Sequence, residues 1–187
     1  MRTLLQQRLR AHLRRFRQDE GGFISIEAII VFPLLLWVFM ALFVYWDAYR
    51  AENTSIKSTY VIADMISREN VPVNMAYING MHQVFRYMNA TDEDTWIRVT
   101  SVQYRQSDNT YRVIWSRSTN TTRAPVHTHA TLATQRHRLP LLADQDAIII
   151  VESWRRFTPA FQVGLDRRTF DEFTIIRPRL LFPLPIS

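Results

Sequence analysis

The chain has 187 residues, no cysteine, four glycines and a formal net charge of +6. The lack of cysteine excludes a disulfide-stabilised fold, and the few scattered glycines exclude a phosphate-binding loop or a nucleophile elbow. Six arginines and two acids give residues 1–22 a net charge of 6 − 2 = +4, so the rest of the chain carries only +2 and no nucleic-acid-binding surface is expected there.

Residues 1–22 form a basic leader ahead of a long apolar segment. In residues 1–17, leucines recur at helical spacing among arginines and glutamines, which fits either an amphipathic helix on a membrane surface or a solvated positive segment. The sequence DEGG at residues 19–22 predicts a polar break that ends any helix before the apolar segment. We interpret the leader as cytoplasmic, because positive residues stay on that side of a membrane.

Residues 23–46 are predicted to cross the membrane as a helix. They contain one charged residue, Glu27, and would extend about 36 Å, more than the ~30 Å hydrocarbon core of a bilayer. The apolar run is longer than that of a cleaved secretory signal. The leader therefore predicts residues 47–187 outside, which in a bacterium means a periplasmic domain.

Glu27 is the most informative residue of this segment. A carboxylate just inside a membrane costs about 1–3 kcal/mol, so it is a candidate functional group with a partner. The alternative is that Glu27 reaches back to the inner interface, since four residues correspond to only about 6 Å of depth. Pro33 lacks an amide hydrogen and predicts a kink or local unwinding in the same half of the span.

The sequence GFISIE at residues 22–27 resembles the processing site of type IV prepilins. A glycine before the scissile bond allows a membrane-embedded aspartyl peptidase to approach the carbonyl closely. The resemblance implies a cut between Gly22 and Phe23 by a prepilin peptidase. It also implies that Glu27 pairs with the new α-amine of Phe23 in a neighbouring subunit, which sets the axial register of one helix against the next.

The sequence EAIIVFPLLL at residues 27–36 is similar to the TadE/TadG-like family of tight-adherence (Flp) pilus assembly proteins. The likeness extends to residues 62–69 and 177–179. It implies a minor pilin or pseudopilin-like component of a type IVb-like pilus in the bacterial inner membrane. Its partners would be other pilin-like subunits and inner-membrane assembly proteins, with Glu27 and Pro33 pairing subunits within the membrane.

The segment after the span is predicted to begin with two helices. Residues 47–68 keep a helical pattern and would continue the membrane helix as a stalk. One face of the stalk is predicted to consist of Ile56, Tyr60, Ala63 and Ile66 or Ser67. Asn74 is a candidate N-cap of the second helix. The apolar stripe of that helix, at i, i+3, i+7 and i+10, consists of Ile78, Met81, Phe85 and Met88.

An antiparallel sheet is predicted after these helices. Its expected strands are residues 96–104, 111–118, 147–157 and 170–177. Residues 106–110 would form a hairpin turn, and a phase switch near Thr100 predicts a bulge or two-sided burial. Residues 119–126 are predicted as an exposed, mobile polar loop, and residues 128–142 are ambiguous with a short helix favoured. Together the elements predict a single α+β domain with about four strands, carried on the transmembrane helix.

No catalytic set or metal site is predicted. His127, His129 and His137 are interpreted as solvated loop side chains, because their pattern is weak for three converging ligands. The acidic residues 92–94 lack the glycine turn of a calcium loop. The chain is therefore predicted to bind no cofactor and to be no enzyme. The alternative is a single-pass, membrane-anchored periplasmic binding module or enzyme, for which the span is only a tether.

The apolar tail at residues 180–186 is too short to span a membrane and contains two prolines. It is expected either to pack on its own domain or to dock on a partner subunit, since exposed apolar segments mark contacts.

Overall fold

A computed structural model describes residues 21–179 and Ile186, with side chains from residue 26 onward. The helix considered for residues 1–17 and nearly all of the apolar tail lie outside the described residues. The first element is helix α1, Gly21–Ser67, a single helix of 47 residues. Because a helix rises about 1.5 Å per residue, α1 is about 70 Å long. The prediction that the apolar segment and the stalk form one helix is confirmed.

The first half of α1 is a candidate membrane span. An 18-residue window of this helix has a mean hydropathy of 2.6, and only 6 % of the window is buried. The exposed side chains between Ile26 and Trp46 are almost all large and apolar. In the part of the chain that the structure describes, this is the one helix long and apolar enough to cross a bilayer.

Two local predictions for α1 need correction. Gly21 and Gly22 lie within the helix rather than in a polar break before it. The helix also continues through Pro33, so of the predicted kink or local unwinding the unwinding is wrong. Proline loses the hydrogen bond to the carbonyl four residues earlier and its ring crowds that carbonyl, but the hydrogen bonds of the flanking residues keep the helix continuous.

The second half of α1 packs on the sheet through small side chains. The buried residues of this face are Ala51, Ser55, Ser58, Thr59, Ile62, Ala63, Ile66 and Ser67. The predicted face was wrong for Tyr60, which is 60 % exposed. Ser58, Thr59 and Ser67 can be buried here because their hydroxyls donate to carbonyls about one turn earlier, as Thr59 does to Ser55 at 2.8 Å. Their small size lets the helix approach the sheet closely.

Helix α2, Met75–Asn89, begins where its sequence predicts. The side chain of Asn74 accepts a hydrogen bond from the backbone N–H of Tyr77 at 2.9 Å. Ile78, Met81 and Phe85 are buried, and Met88, the last residue of the stripe, is half-buried. The helix stops at Ala90, whose φ of 45° is left-handed.

The sheet has four antiparallel strands in the order β2-β1-β3-β4. The strands are β1 (Thr95–Arg105), β2 (Thr110–Ser118), β3 (Ala147–Phe157) and β4 (Arg168–Ile176). The register of β1 against β2 shifts between Ser101 and Val102, which confirms the predicted bulge. Each strand lies within two residues of its predicted bounds.

The two faces of the sheet bury different sets of residues. Ile97, Val99, Ile149 and Val151 face α1 and α2 and form the main core. The opposite face buries Val102, Ile148 and Ile150. It is covered by Leu132 of helix α3, His129–Thr134, and by Leu139, which follows a short 3-10 helix, Arg136–Arg138. The predicted α+β class is confirmed, with one short helix in the ambiguous segment.

Two segments outside the helices and strands, the loop at residues 119–126 and the C-terminal tail, make contacts with the rest of the domain. In the loop at residues 119–126, Ala124 is buried and the carbonyl of Pro125 accepts a hydrogen bond from Arg98 at 2.6 Å, so the loop is not wholly exposed. Near the C-terminus, Ile186 forms a parallel bridge with Val73 and packs against the main core. For this one residue of the apolar tail, contact is with its own domain.

Replacing Ile62 by alanine is expected to lower the free energy of unfolding by about 2–5 kcal/mol, because Ile62 is fully buried between α1 and the sheet. Tyr60→Ala, on the exposed side of the same helix, should change it by less than about 0.5 kcal/mol. Both are measured by urea unfolding of the full chain in detergent micelles, followed by near-ultraviolet circular dichroism. Equal losses for the two variants would contradict the orientation of α1.

Candidate functional site

Glu27 lies in the first half of α1, the candidate span, and its side chain is exposed. Its neighbours Ile26, Ile29 and Ile30 are exposed as well. The described part of the chain gives this carboxylate no hydrogen bond or ion pair. In a bilayer such a group is stabilised by a cation or donor from outside the described chain, because hydrocarbon offers neither.

Gly22 and Phe23 lie in the first turn of α1. Phe23 and Glu27 are four residues apart, so their positions share one face of the helix about 6 Å apart along its axis. Glycine is about 1 kcal/mol less favourable than alanine inside a helix, so the pair Gly21-Gly22 makes this turn easy to open. An opened turn would expose the Gly22–Phe23 peptide bond as an extended segment.

Pro33 does not share a face with Glu27. Six residues at 3.6 per turn place the two positions about 120° apart around α1 and about 9 Å apart along it. A neighbouring helix that packs parallel to α1 on its Glu27 face therefore does not contact Pro33. The structure thus joins Glu27 with position 23 and separates it from Pro33.

A second polar site lies inside the domain, on the sheet face that α1 does not cover. Arg98 on β1 and Glu152 on β3 are directly paired across the strands. The guanidinium donates from Nε to Oε2 at 2.6 Å and from Nη2 to Oε1 at 2.7 Å, and both side chains are buried. His127 donates from Nε2 to the same Oε2 at 3.0 Å. The carboxylate is therefore held by two donor side chains.

Hydroxyls and aromatic rings complete this buried cluster. The hydroxyl of Ser116 lies 2.9 Å from that of Thr100 and accepts from the backbone N–H of His127 at 3.0 Å. Arg98 lies 5.3 Å from the ring centre of Trp154, which stacks on Trp96. Such contacts shield the charged atoms from water, and desolvated cation–π pairs are worth up to about 2 kcal/mol.

The charge state of Glu152 follows from these contacts. Burial alone raises the pKa of this carboxyl, but the hydrogen bonds from His127 and Arg98 and the charge of Arg98 outweigh it. The net result is a pKa below the ordinary value. Glu152 is therefore ionised at neutral pH and acts as an anchor for its donors, not as a proton-transfer group.

The three histidines do not converge. His127 is buried, which corrects its interpretation as a solvated side chain. His129 uses Nδ1 to accept from the backbone N–H of Val113 at 3.1 Å, and His137 lies exposed on the 3-10 helix. Among the described residues no group of three or more metal-binding side chains comes together.

An open cavity of about 470 Å³ lies beside the β1–β2 hairpin and is lined by Tyr111, Arg112, His129 and Arg136 among others. Its two arginines already have partners. Arg112 donates to Asp108 at 2.8 Å, and Arg136 donates to the side chain of Asn109 at 2.6 Å. Asp108 offsets the charge of Arg112, and Asn109 occupies hydrogen-bond donors of Arg136 that an anionic ligand would need.

Sequence reasoning missed the cluster of Arg98, Glu152 and His127. A signal was present, because Arg98 and Glu152 are opposite charges in the interior of two predicted strands, and charged residues are almost never buried unless paired. His127 had no such signal, since its partner lies 25 residues away in the sequence. Comparison with protein families, curated proteins and solved structures finds no match to this chain.

Glu152→Gln is expected to lower the free energy of unfolding by about 3–5 kcal/mol at neutral pH, because it leaves the charge of Arg98 buried without a counter-ion. Glu172→Gln is the matched control on β4. There burial, Glu52 and Asp171 raise the pKa of the carboxyl, so removing its charge should cost nothing or stabilise the domain. Urea unfolding of the full chain in micelles measures both.

The same pair predicts a pH dependence. Because the folded pKa of Glu152 lies below the ordinary value of 4.5, its contribution is complete above pH 4.5 and is lost as pH falls through the folded pKa. The wild type should therefore lose stability more steeply than Glu152→Gln under acidic conditions. Parallel curves for the two proteins would show that the carboxylate is not held in its charged form.

Proposed function

We propose that this chain is a minor pilin or pseudopilin-like component required for assembly of a tight-adherence pilus. It is anchored in the bacterial inner membrane by α1, with residues 1–22 cytoplasmic and residues 47–187 forming a periplasmic domain. Its partners are other pilin-like subunits and inner-membrane assembly proteins. The likeness of residues 22–36 to prepilin and TadE/TadG-like sequences supports this role.

The observation that carries the proposal is the exposed carboxylate of Glu27 on a bare apolar helix. A simple tether would have no use for a charge in this position, because an acid lowers the stability of a membrane helix. A subunit that pairs laterally uses the same charge, since a cation on a neighbouring helix compensates it. The α-amine of Phe23, formed by cleavage after Gly22, is such a cation.

The continuity of α1 supports the same role. The helix runs unbroken from Glu27 to Ile66, which is fully buried in the core. A contact at the membrane end therefore fixes the position of the domain along the axis as well. Such coupling suits a subunit whose axial register matters, whereas a tethered module needs only a flexible link.

Glu27→Gln is expected to abolish or strongly reduce the recovery of surface pili while leaving the amount of protein in the membrane unchanged, because only the subunit contact loses its charge. The measurement is the quantity of sheared pilus protein and of membrane-bound chain in cells that carry only the variant. Glu52→Gln is the matched control, since Glu52 is exposed on the same helix outside the span. Wild-type piliation with Glu27→Gln would favour the tether.

Cleavage is tested separately by the mass of the purified protein. We expect Phe23 as the first residue in cells that contain a prepilin peptidase, and an uncut chain for a variant with a bulky residue in place of Gly22, such as Gly22→Leu. The larger side chain blocks approach of the peptidase to the carbonyl. An intact N-terminus in wild-type protein from piliated cells would contradict processing and leave the pairing role of Glu27 to a different cation.

A further inference from the structure

The segment that joins β3 to β4, residues 158–167, lies against α1 at the end of the apolar span. The rings of Phe161 and Phe43 meet edge to face with centres 6.3 Å apart. Gly164 lies close to Tyr45, whose hydroxyl would be 3.9 Å from a Cβ at that glycine. We call residues 158–167 the interfacial loop.

The interfacial loop is fixed in this position by apolar packing. Leu165 packs against a buried cluster of Ala48 and Ala51 from α1 with Phe157 and Phe170 from the sheet. Val163 of the loop is also buried. Val44 of α1 is only 1 % exposed, although most of its neighbours in the apolar segment are bare. The loop is therefore held along the helix rather than directed away from it.

The position of the interfacial loop relative to the membrane surface follows from its contacts with α1. Tyr45, Trp46 and Tyr49 are exposed at the end of the apolar segment, where aromatic residues mark the boundary between lipid and water. Phe43 lies three residues, about 4.5 Å, to the membrane side of Trp46. Phe161 touches Phe43 and is itself 45 % exposed, so an apolar ring of the domain reaches the level of the membrane surface.

We propose that the interfacial loop inserts into the surface, on the side of the domain, of the same bilayer that α1 crosses, with Phe161 in contact with lipid. Residues 158–165 carry no charge, which suits insertion. Asp166 ends this uncharged stretch, and the two arginines that follow it, Arg167 and Arg168, are exposed and leave a net positive charge that can bind lipid phosphate groups. The domain thus has a second contact with the bilayer besides its span.

A lipid surface is favoured over a second protein because the apolar surface of the loop adjoins that of the span. The exposed rings of Phe43 and Phe161 form one apolar surface, and the Phe43 end of it belongs to the segment that lipid surrounds. The inference depends on the candidate span alone. It holds for either orientation of the chain and whether or not the chain joins a pilus.

The absence of cysteine in the sequence allows a direct test by site-directed spin labelling. The variant Gln162→Cys carries a nitroxide next to Phe161, and the full chain is reconstituted in phosphatidylethanolamine and phosphatidylglycerol vesicles. The control is Gln106→Cys, in the hairpin turn beyond the end of β1. Because β1 starts beside the membrane end of the domain, this label lies about 33 Å from that end. Electron paramagnetic resonance measures collisions with oxygen, which concentrates in lipid, and with a nickel chelate, which stays in water.

The expected result is low nickel accessibility and high oxygen accessibility at position 162, with high nickel accessibility at position 106. Adding Phe161→Asp to the 162 label should raise nickel accessibility, whereas Phe161→Leu should leave it low. High nickel accessibility at 162 in the unmodified loop would place the loop in water and overturn the proposal. Low accessibility to both reagents would indicate a protein contact and would overturn it equally.

Discussion

The structure depends on the packing of the second half of α1 against the sheet. This contact is close because most of the buried face of the helix is alanine, serine and threonine, with Ile62 and Ile66 as its two large side chains, and the hydroxyls of Thr59 and Ser153 meet at 2.6 Å across it. Larger side chains on this face would move the helix away and open the main core. Since α1 is one helix from Gly21 to Ser67, this packing also sets the direction in which the bare apolar half leaves the domain.

The opposite face of the sheet is held by charge as well as by apolar contact. Arg98 and Glu152 lie between β1 and β3, and they bind residues from outside the sheet through Pro125 and His127. An apolar pair of similar volume would often be as stable as a buried ion pair, but it would offer these segments no directed hydrogen bonds. The cluster therefore fixes where the chain between β2 and β3 crosses the sheet, and with it the position of α3.

The sequence predicted the regular elements well because their signals are local. The alternation in the strands, the N-cap at Asn74 and the register shift near Ser101 each depend on residues close together in the chain. The buried face of α1 could not be predicted in the same way. Serine and threonine read as polar, and their burial depends on hydrogen bonds to carbonyls within the helix and on a sheet formed much later in the chain.

The candidate sites also differ in whether their signal lies in the local sequence or in contacts between distant residues. Glu27 stands out in the sequence because its surroundings in the chain are apolar, so composition alone reveals it. The relation between Glu27 and Pro33 needs the helical geometry, which separates them around α1. Phe161 gave no sequence signal at all, since its meaning comes from contact with Phe43, more than a hundred residues earlier.

In the proposed arrangement the two membrane contacts of the chain differ greatly in strength. Twenty or so apolar side chains hold α1 in the bilayer, whereas Phe161 is only partly exposed and contributes less than the about 1.5–3 kcal/mol of a fully buried phenylalanine. So weak a contact breaks and re-forms readily and cannot serve as an anchor. It does suffice to select one tilt of the domain among several of similar energy, because 1.4 kcal/mol already shifts an equilibrium tenfold. In this arrangement α1 anchors the chain, and the interfacial loop orients the domain at the membrane surface.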